Sequence, residues 1–219
     1  MKKLVVAIDG PSGAGKGTVS RALSEALGYR HVDTGAMYRA VAWKALEDGL
    51  ALDDEAAVAA IARDADIVVE GGVASIDRRD VTRAIRTPEI DKAAAAVARM
   101  PHVREILVAR QRALGAGGGV VMEGRDIGTV VFPNADLKIY LDASAAERAR
   151  RRVHDPAHSG GQAGQAAVAA SIEARDKSDT TRSASPLTLA ADAKYIDTTD
   201  MPIAQVVDAV MRLVRDKIG

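Results

Sequence analysis

Gly10-Pro11-Ser12-Gly13-Ala14-Gly15-Lys16-Gly17-Thr18 follows the apolar run Leu4-Val5-Val6-Ala7-Ile8 and precedes a helix-like segment, Val19 to Leu27. A buried-type strand, a glycine-rich turn and a helix, in that order, read as a phosphate-binding loop. Gly10, Gly13, Gly15 and Gly17 let the backbone approach a ligand, so that successive N–H groups converge on oxyanions at the positive end of the helix. Lys16 adds a point charge for the terminal phosphates of a nucleoside triphosphate, the ligand expected along Gly10 to Thr18. A ligand-free turn would need four spaced glycines, Lys and Thr to gather by chance directly after a strand. One position departs from the usual GxxxxGK[ST] pattern: Gly17 follows the lysine, and the hydroxyl comes one residue later. The spacing leaves open whether Thr18 contacts Mg2+ or the ion is held mainly by nucleotide phosphates.

With 219 residues the chain has room for one core with excursions. Thirty basic against thirty acidic residues argue against a general nucleic-acid or membrane-surface binder. The absence of cysteine excludes disulfides, thiolate catalysis and cysteine-held metals. No apolar run approaches the roughly 20 residues that span a bilayer, and Asp9 with its loop follows MKKLVVAI too closely for a leader peptide. A cytoplasmic protein is expected. His31, His102, His154 and His158 show no metal-ligand spacing and read as packing or surface residues.

Gly28 is a plausible C-cap of the first helix. A strand from Tyr29 to Val32 then delivers Asp33-Thr34-Gly35, with Thr34 a candidate cap for a helix from Ala36 to Leu46 that carries Arg39 one turn in. A helix over Asp53 to Arg63 and a hairpin over Ile67 to Ile76 follow. Arg78, Arg79, Arg83 and Arg86 precede Pro88, and the first three read as surface charges. Helices are expected over Glu89 to Arg99 and His102 to Leu114. The strand Val120 to Met122 ends in Glu123-Gly124-Arg125-Asp126, and polar residues past the carboxyl end of a parallel strand sit where open α/β sheets bind ligands. Leu137 to Leu141 reads as a strand, Asp142 as a structural cap and Ala145 to Val153 as an arginine-rich helix. His154 to Gln165 reads as a mobile loop before a helix from Ala166 to Lys177, with a last strand at Tyr195 to Asp197 and a C-terminal helix from Ile203 to Ile218. Strands alternating with helices make an α/β fold with a parallel sheet covered on both faces.

The charges that converge are mostly arginines: Arg39, Arg104, Arg125, Arg148, Arg151, Arg152, Arg175 and Arg182. In a neutral protein, arginines gathered at one sheet edge imply more than one polyanion, and phosphoryl transfer needs positive charge on the migrating group more than covalent catalysis. A phosphate acceptor, largely dianionic at neutral pH, needs no general base. An alcohol acceptor would need a carboxylate, with Asp33 or Asp126 as candidates. Arg148 and Arg150 are equally readable as site residues or solvated helix charges, whereas Arg125 and Asp126 read as site residues, with a strand-end ion pair as the lesser alternative.

At this point the chain resembles the bacterial cytidylate kinases, within the nucleoside-monophosphate kinase group of P-loop proteins, over essentially its whole length. The identifying stretches are IDGPSGAGKGT (Ile8 to Thr18), DTGAMYR (Asp33 to Arg39), IRTPEI (Ile85 to Ile90), Val103-Arg104, EGRDIGTVVFP (Glu123 to Pro133), KIYLDAS (Lys138 to Ser144), RDKSDTTR (Arg175 to Arg182) and Ser185-Pro186-Leu187. Adenylate kinases share the first but not the rest in this order. The resemblance implies a five-stranded parallel sheet as core (residues 1–33, 103–150 and 184–219), a monophosphate-binding insertion over 34–102 with a small antiparallel sheet, and a lid over 151–183. It implies transfer from ATP with Mg2+ to CMP or dCMP. Lys16, Arg125 and Arg175 would be catalytic, and Arg39, Arg125 and Arg175 would hold the acceptor phosphate. Thr34, Arg104 and Asp126 would sit near the cytosine, Asp179 and Arg182 near the ribose, and Arg151 and Arg152 over ATP.

Two positions depart from the family pattern. Ala95 stands where a base-reading serine is usual, which puts selectivity for CMP over UMP in doubt; Ser178 stands where another arginine is common. Alternatives are a related kinase acting on UMP, another monophosphate or an alcohol, and a non-catalytic nucleotide-binding regulatory module. The module lacks an NKxD guanine-reading motif and has no use for an arginine-rich lid. A complete site within one chain leans toward a monomer.

Overall fold

The computed structural model describes residues 3–155 and 164–218; the expected loop at 154–165 lies largely outside them. The chain runs β1 (Val5–Asp9), α1 (Lys16–Leu27), β2 (Arg30–Asp33), α2 (Thr34–Glu47), α3 (Glu55–Asp64), β3 (Ile67–Glu70), β4 (Val73–Ile76), β5 (Arg79–Asp80), α4 (Pro88–Val97) and α5 (Pro101–Gly115). It continues through β6 (Val120–Gly124), a π-helical turn (Ile127–Val131), β7 (Leu137–Asp142), α6 (Ala145–Val153), α7 (Gln165–Thr181), β8 (Lys194–Asp197) and α8 (Ile203–Ile218).

Five strands form the main sheet in the order β2-β6-β1-β7-β8, all pairs parallel. The order puts β1 at the centre, between β6 and β7, so the loop after β1 opens at the middle of the carboxyl edge. Side chains alternate across β1. Val6 and Ile8 pack with Leu23, Leu141 and Val210 on one face, while Ala7 joins Val32, Val108, Met122 and Ile127 on the other. Both faces are apolar because both are covered by helices.

A third apolar cluster lies apart from the sheet and includes Tyr38, Trp43, Val58, Ile76, Ile85, Ile90, Val97 and Leu107. It joins α2 through α5 to the antiparallel sheet β3-β4-β5. The hairpin Ile67 to Ile76 is present, and the two-residue strand β5 was not foreseen, being too short to show alternation.

Helix ends follow the expected chemistry. Gly28 adopts φ 63° at the end of α1, and its N–H bonds back into the last turn. Thr87 caps α4 through a 3.2 Å bond from Ile90 N–H, and Pro88 and Pro101 open α4 and α5. Thr34 does not cap α2. Asp33 does, accepting from Ala36 N–H at 3.0 Å, because the helix already starts at Thr34, whose hydroxyl donates to the Glu123 main-chain oxygen instead. The cap before α6 is Ser144 rather than Asp142, whose carboxylate bonds Ala143 N–H and the Tyr195 hydroxyl. Helix α7 continues four residues beyond Lys177, which brings Arg175 and Asp179 onto one face, one turn apart.

Candidate active site

A cleft of about 1130 Å³ opens along the carboxyl edge of the main sheet, between the loop after β1, helices α2 and α4, and helices α6 and α7. Gly10 is required at its base: with φ 146°, a Cβ there would fall 1.9 Å from the Leu141 carbonyl oxygen. Ser12 to Thr18 line the cleft, and α1 starts without a side-chain cap, leaving its N–H groups for a ligand. Lys16 is buried, and its ammonium donates to the Pro11 carbonyl at 2.7 Å. Burial, followed by the nearby Arg125, pushes its pKa down to about 7, against the pull of Glu123, Asp9 and Asp179.

Glu123, at the end of β6, lies beside Gly17. A Cβ on Gly17 would stand 3.4 Å from Glu123 Oε1, an ordinary contact, so a side chain after the lysine would project toward this buried carboxylate. Its Oε1 is held by His31 Nε2 at 2.8 Å, and its main-chain oxygen accepts from the Thr34 hydroxyl at 2.7 Å.

Asp9, at the end of β1, accepts from Ile127 N–H at 2.8 Å and Gly128 N–H at 2.7 Å, joining the strand before the phosphate loop to the π-helical turn after Asp126. Burial pushes its pKa up to about 6, although both N–H groups favour the charged form. Arg125 and Asp126 do not pair with each other. Arg125 Nε donates to Asp179 at 2.8 Å, while Asp126 binds buried Arg104 and lies 3.8 Å from Arg182.

On the other wall, Asp33 binds Arg39 at 3.0 Å and Arg86 at 3.2 Å. Burial alone would raise its pKa, but the two guanidiniums outweigh it and hold the carboxyl at about 2. Arg175 donates to the Asp91 carbonyl at 2.7 Å and lies 3.4 Å from Asp179. Asp179, 1% exposed, sits among Arg125, Arg175 and Arg182 and lies outside the cleft lining. Burial would raise its pKa too, and the three arginines lower it instead.

Helix α6 reaches the phosphate loop. Arg152 donates to the Ser12 hydroxyl at 2.8 Å, and Arg151 bonds Thr198 through its side chain at 2.9 Å. Arg148 is not a solvated charge. It is buried, donating to the carbonyls of Ser12 at 3.0 Å and Ala143 at 2.9 Å, and it binds Asp176. Arg150 is the exposed one, paired with Glu147.

The residues expected at the site thus gather on one cleft: Thr34, Arg39, Arg104, Arg125, Asp126, Arg175 and Arg182 with the phosphate loop, Arg151 and Arg152. Gly10 and Pro11 lie behind the lining and shape the loop. Arg79 projects outward against Glu47 and the Trp43 ring, as a surface charge should. Sequence reasoning assigned no site role to Asp9, His31, Asp91 or Arg86. Asp9 and Glu123 carried a readable signal, each being an acid at the carboxyl end of a parallel strand. Arg86 lies within the IRTPEI stretch that carries the resemblance, though no role attaches to it there, and Asp91 carried no signal.

Residues 6–216 match the profile of a family described as cytidylate kinase. A cytidylate kinase of Desulfitobacterium hafniense is 48% identical over 220 residues, 99% of this chain and 95% of the relative. One of Pelotomaculum thermopropionicum is 50% identical over 211 residues, 94% of this chain and 93% of the relative. Among solved structures, a shikimate kinase from Bacteroides thetaiotaomicron superposes with TM-score 0.52 at 10% identity, covering 97% of this chain and 98% of that one. A gluconokinase from Sinorhizobium meliloti gives the same TM-score of 0.52 at 15% identity, covering 98% and 95%. At such identities the structural likeness concerns the fold.

Proposed function

The chain belongs to the cytidylate kinase family, and we propose that it transfers the terminal phosphoryl group of ATP directly to CMP and dCMP, with the residues of this one cleft in named roles. The carrying observation is that a phosphate loop and a facing set of arginines, Arg39, Arg125 and Arg175, line the same cleft of about 1130 Å³. Two phosphorylated ligands facing each other fit that division.

ATP is assigned to Gly10 through Thr18, with Arg151 and Arg152 above it, and Lys16 to the migrating phosphoryl group. The acceptor phosphate goes to Arg39, Arg125 and Arg175. Thr34 and the buried Arg104–Asp126 pair take the cytosine side, and Arg182 borders the ribose. Asp179 acts there by holding Arg125, Arg175 and Arg182 in place. Residues 34–102 serve as the acceptor-binding insertion and 151–183 as the lid over a core made of the rest. The acceptor phosphate attacks as a dianion, so no base is needed. A pKa of about 2 makes Asp33 a poor proton acceptor, which weighs against an alcohol substrate.

Mg2+ fits as a companion of the nucleotide. Among the described residues no group of three or more His, Cys, Asp or Glu is placed to hold a cation, so phosphate oxygens would complete its shell. Glu123, packed against Gly17, and Thr18, open to the cleft, are the residues that would face it. Bound there, the ion would supply positive charge to the phosphates.

We read the protein as a cytoplasmic monomer, since its substrates are soluble nucleotides and the groups of the cleft come from one chain. No helix among the described residues is long and apolar enough to cross a membrane. ADP release measured with CMP, dCMP, UMP, AMP, dTMP and shikimate tests the assignment. CMP and dCMP should give the highest kcat/KM, and equal rates with UMP or AMP would overturn it.

A further inference from the structure

His31 read in the sequence as an ordinary packing histidine. Its surroundings differ from that. It lies on β2 opposite Val121 in the parallel register, and Glu123 is the next residue of β6 on the same face. Its side chain is 95% out of solvent, Nε2 meets Glu123 Oε1 at 2.8 Å, and Nδ1 is buried with no hydrogen-bond partner among the described residues. A carboxylate only accepts, so Nε2 is the donor to Glu123, and Nδ1 is left without a partner of its own. Leaving a buried polar atom unpaired costs stability that an aliphatic side chain would not. Among the described residues, Glu123 is the hydrogen-bond partner of the imidazole.

Glu123 needs such a restraint. It lies beside Gly17 and close enough to buried Lys16 to favour the positive charge there. A carboxylate free to swing toward that ammonium would compete with the ligand for it. The His31 bond holds Oε1, the oxygen nearest Gly17. The Thr34 hydroxyl holds the main chain at the same residue.

We propose that His31 is a positioning residue that orients Glu123 toward the magnesium ion of bound MgATP. This rests on the assignment of Glu123 to the metal side of the cleft. Hydrogen-bond partners of metal-facing carboxylates typically change metal affinity 10- to 100-fold when removed.

The test uses the full chain and three variants: His31→Leu, His31→Gln, which keeps a donor, and Glu123→Gln. Calorimetry of ATP binding with and without Mg2+ gives the factor by which the metal tightens the nucleotide. Steady-state assays give the Mg2+ half-saturation and the KM for CMP. His31→Leu should cut the metal-dependent tightening about tenfold and raise the Mg2+ half-saturation similarly, while metal-free ATP affinity and KM for CMP stay within about twofold. His31→Gln should restore most of the loss, and Glu123→Gln should lose at least as much as His31→Leu.

If Glu123→Gln loses the metal-dependent tightening and His31→Leu keeps it, the His31 proposal is overturned and the role of Glu123 stands. If Glu123→Gln keeps it as well, the metal-side assignment fails and takes the proposal with it. Equal loss of ATP affinity with and without metal in His31→Leu would mark a packing role and also overturn it. Should His31→Leu not fold, His31→Asn, too short to reach Glu123, against His31→Gln reads the same contrast.

Discussion

The main-chain carbonyl of Asp91, on α4, accepts a hydrogen bond from the Arg175 guanidinium, on α7, at 2.7 Å. The two residues are 84 positions apart, and the bond joins the two sides of the cleft. The Asp91 carboxylate faces the same space, 4.0 Å from Arg39 and 3.8 Å from Arg152. It is therefore a resident anion among arginines assigned to substrate phosphates.

Asp91→Ala should lower the KM for CMP, because an incoming phosphate no longer competes with a carboxylate for Arg39. Partly exposed pairs of this length are worth up to about 1 kcal/mol, so the change should reach about fivefold at most. Arg175→Ala, in contrast, should raise the KM for CMP more than that for ATP. Steady-state kinetics with each substrate varied in turn checks both, and the reverse pattern for Arg175 would move that residue to the donor side.

Lys16 should take up a proton when ATP binds. Its pKa of about 7 in the empty cleft must rise beside phosphates, so near pH 8 close to one proton per nucleotide should be absorbed, and about half as much near pH 7. Calorimetry in buffers of different ionisation enthalpy measures this directly. The folded pKa lies below the ordinary lysine value of 10.5, so this group's penalty on stability is complete below pH 7 and fades as pH rises toward 10.5. Lys16→Ala should accordingly abolish turnover while the melting temperature without ligand stays level or rises at pH 7.

Asp9→Asn should weaken CMP binding without touching CMP. An amide offers one acceptor oxygen, whereas Ile127 N–H and Gly128 N–H each bond a separate oxygen of Asp9. One N–H would then face an NH2 group, and the segment carrying Arg125 and Asp126 would loosen. A lost or opposed buried bond typically costs 1–3 kcal/mol, or several degrees in Tm. Because the folded pKa of about 6 lies above the ordinary 3.8, the native protein gains stability from protonating Asp9 as pH falls through 6. The Tm gap between parent and variant should therefore be wider at pH 5 than at pH 8.

Ala95 lines the cleft on α4, one turn beyond Asp91. Ala95→Ser would supply the hydroxyl that the family pattern places there. One hydrogen bond to the base is worth about 1 kcal/mol, so the ratio of kcat/KM for CMP over UMP should rise about fivefold. An unchanged ratio would mean that the base is read by other groups.

Most of the fold was legible because its signals are local. The unbroken apolar run of β1, the glycine at residue 28 and the prolines opening α4 and α5 each report a preference within a few residues. The strand β5 escaped because two residues carry no period. Among site residues, the phosphate loop was legible for the same local reason, while the arginines could be named but not paired. Arg125 finds Asp179 across 54 residues, and Arg86 finds Asp33 across 53. No spacing rule reaches that far.

From the order of residues alone come the phosphate loop, the parallel α/β sheet and the kinase family, since each depends on short-range spacing or on motifs that keep their order. The partners of each charge were decided by the tertiary structure. Burial removes solvent as the default partner, so a carboxylate such as Asp179 must find guanidiniums wherever the fold delivers them. The same holds for Gly17. The sequence shows an absent hydroxyl, and only the approach of β6 to α1 shows that Glu123, held by His31, lies beside that glycine.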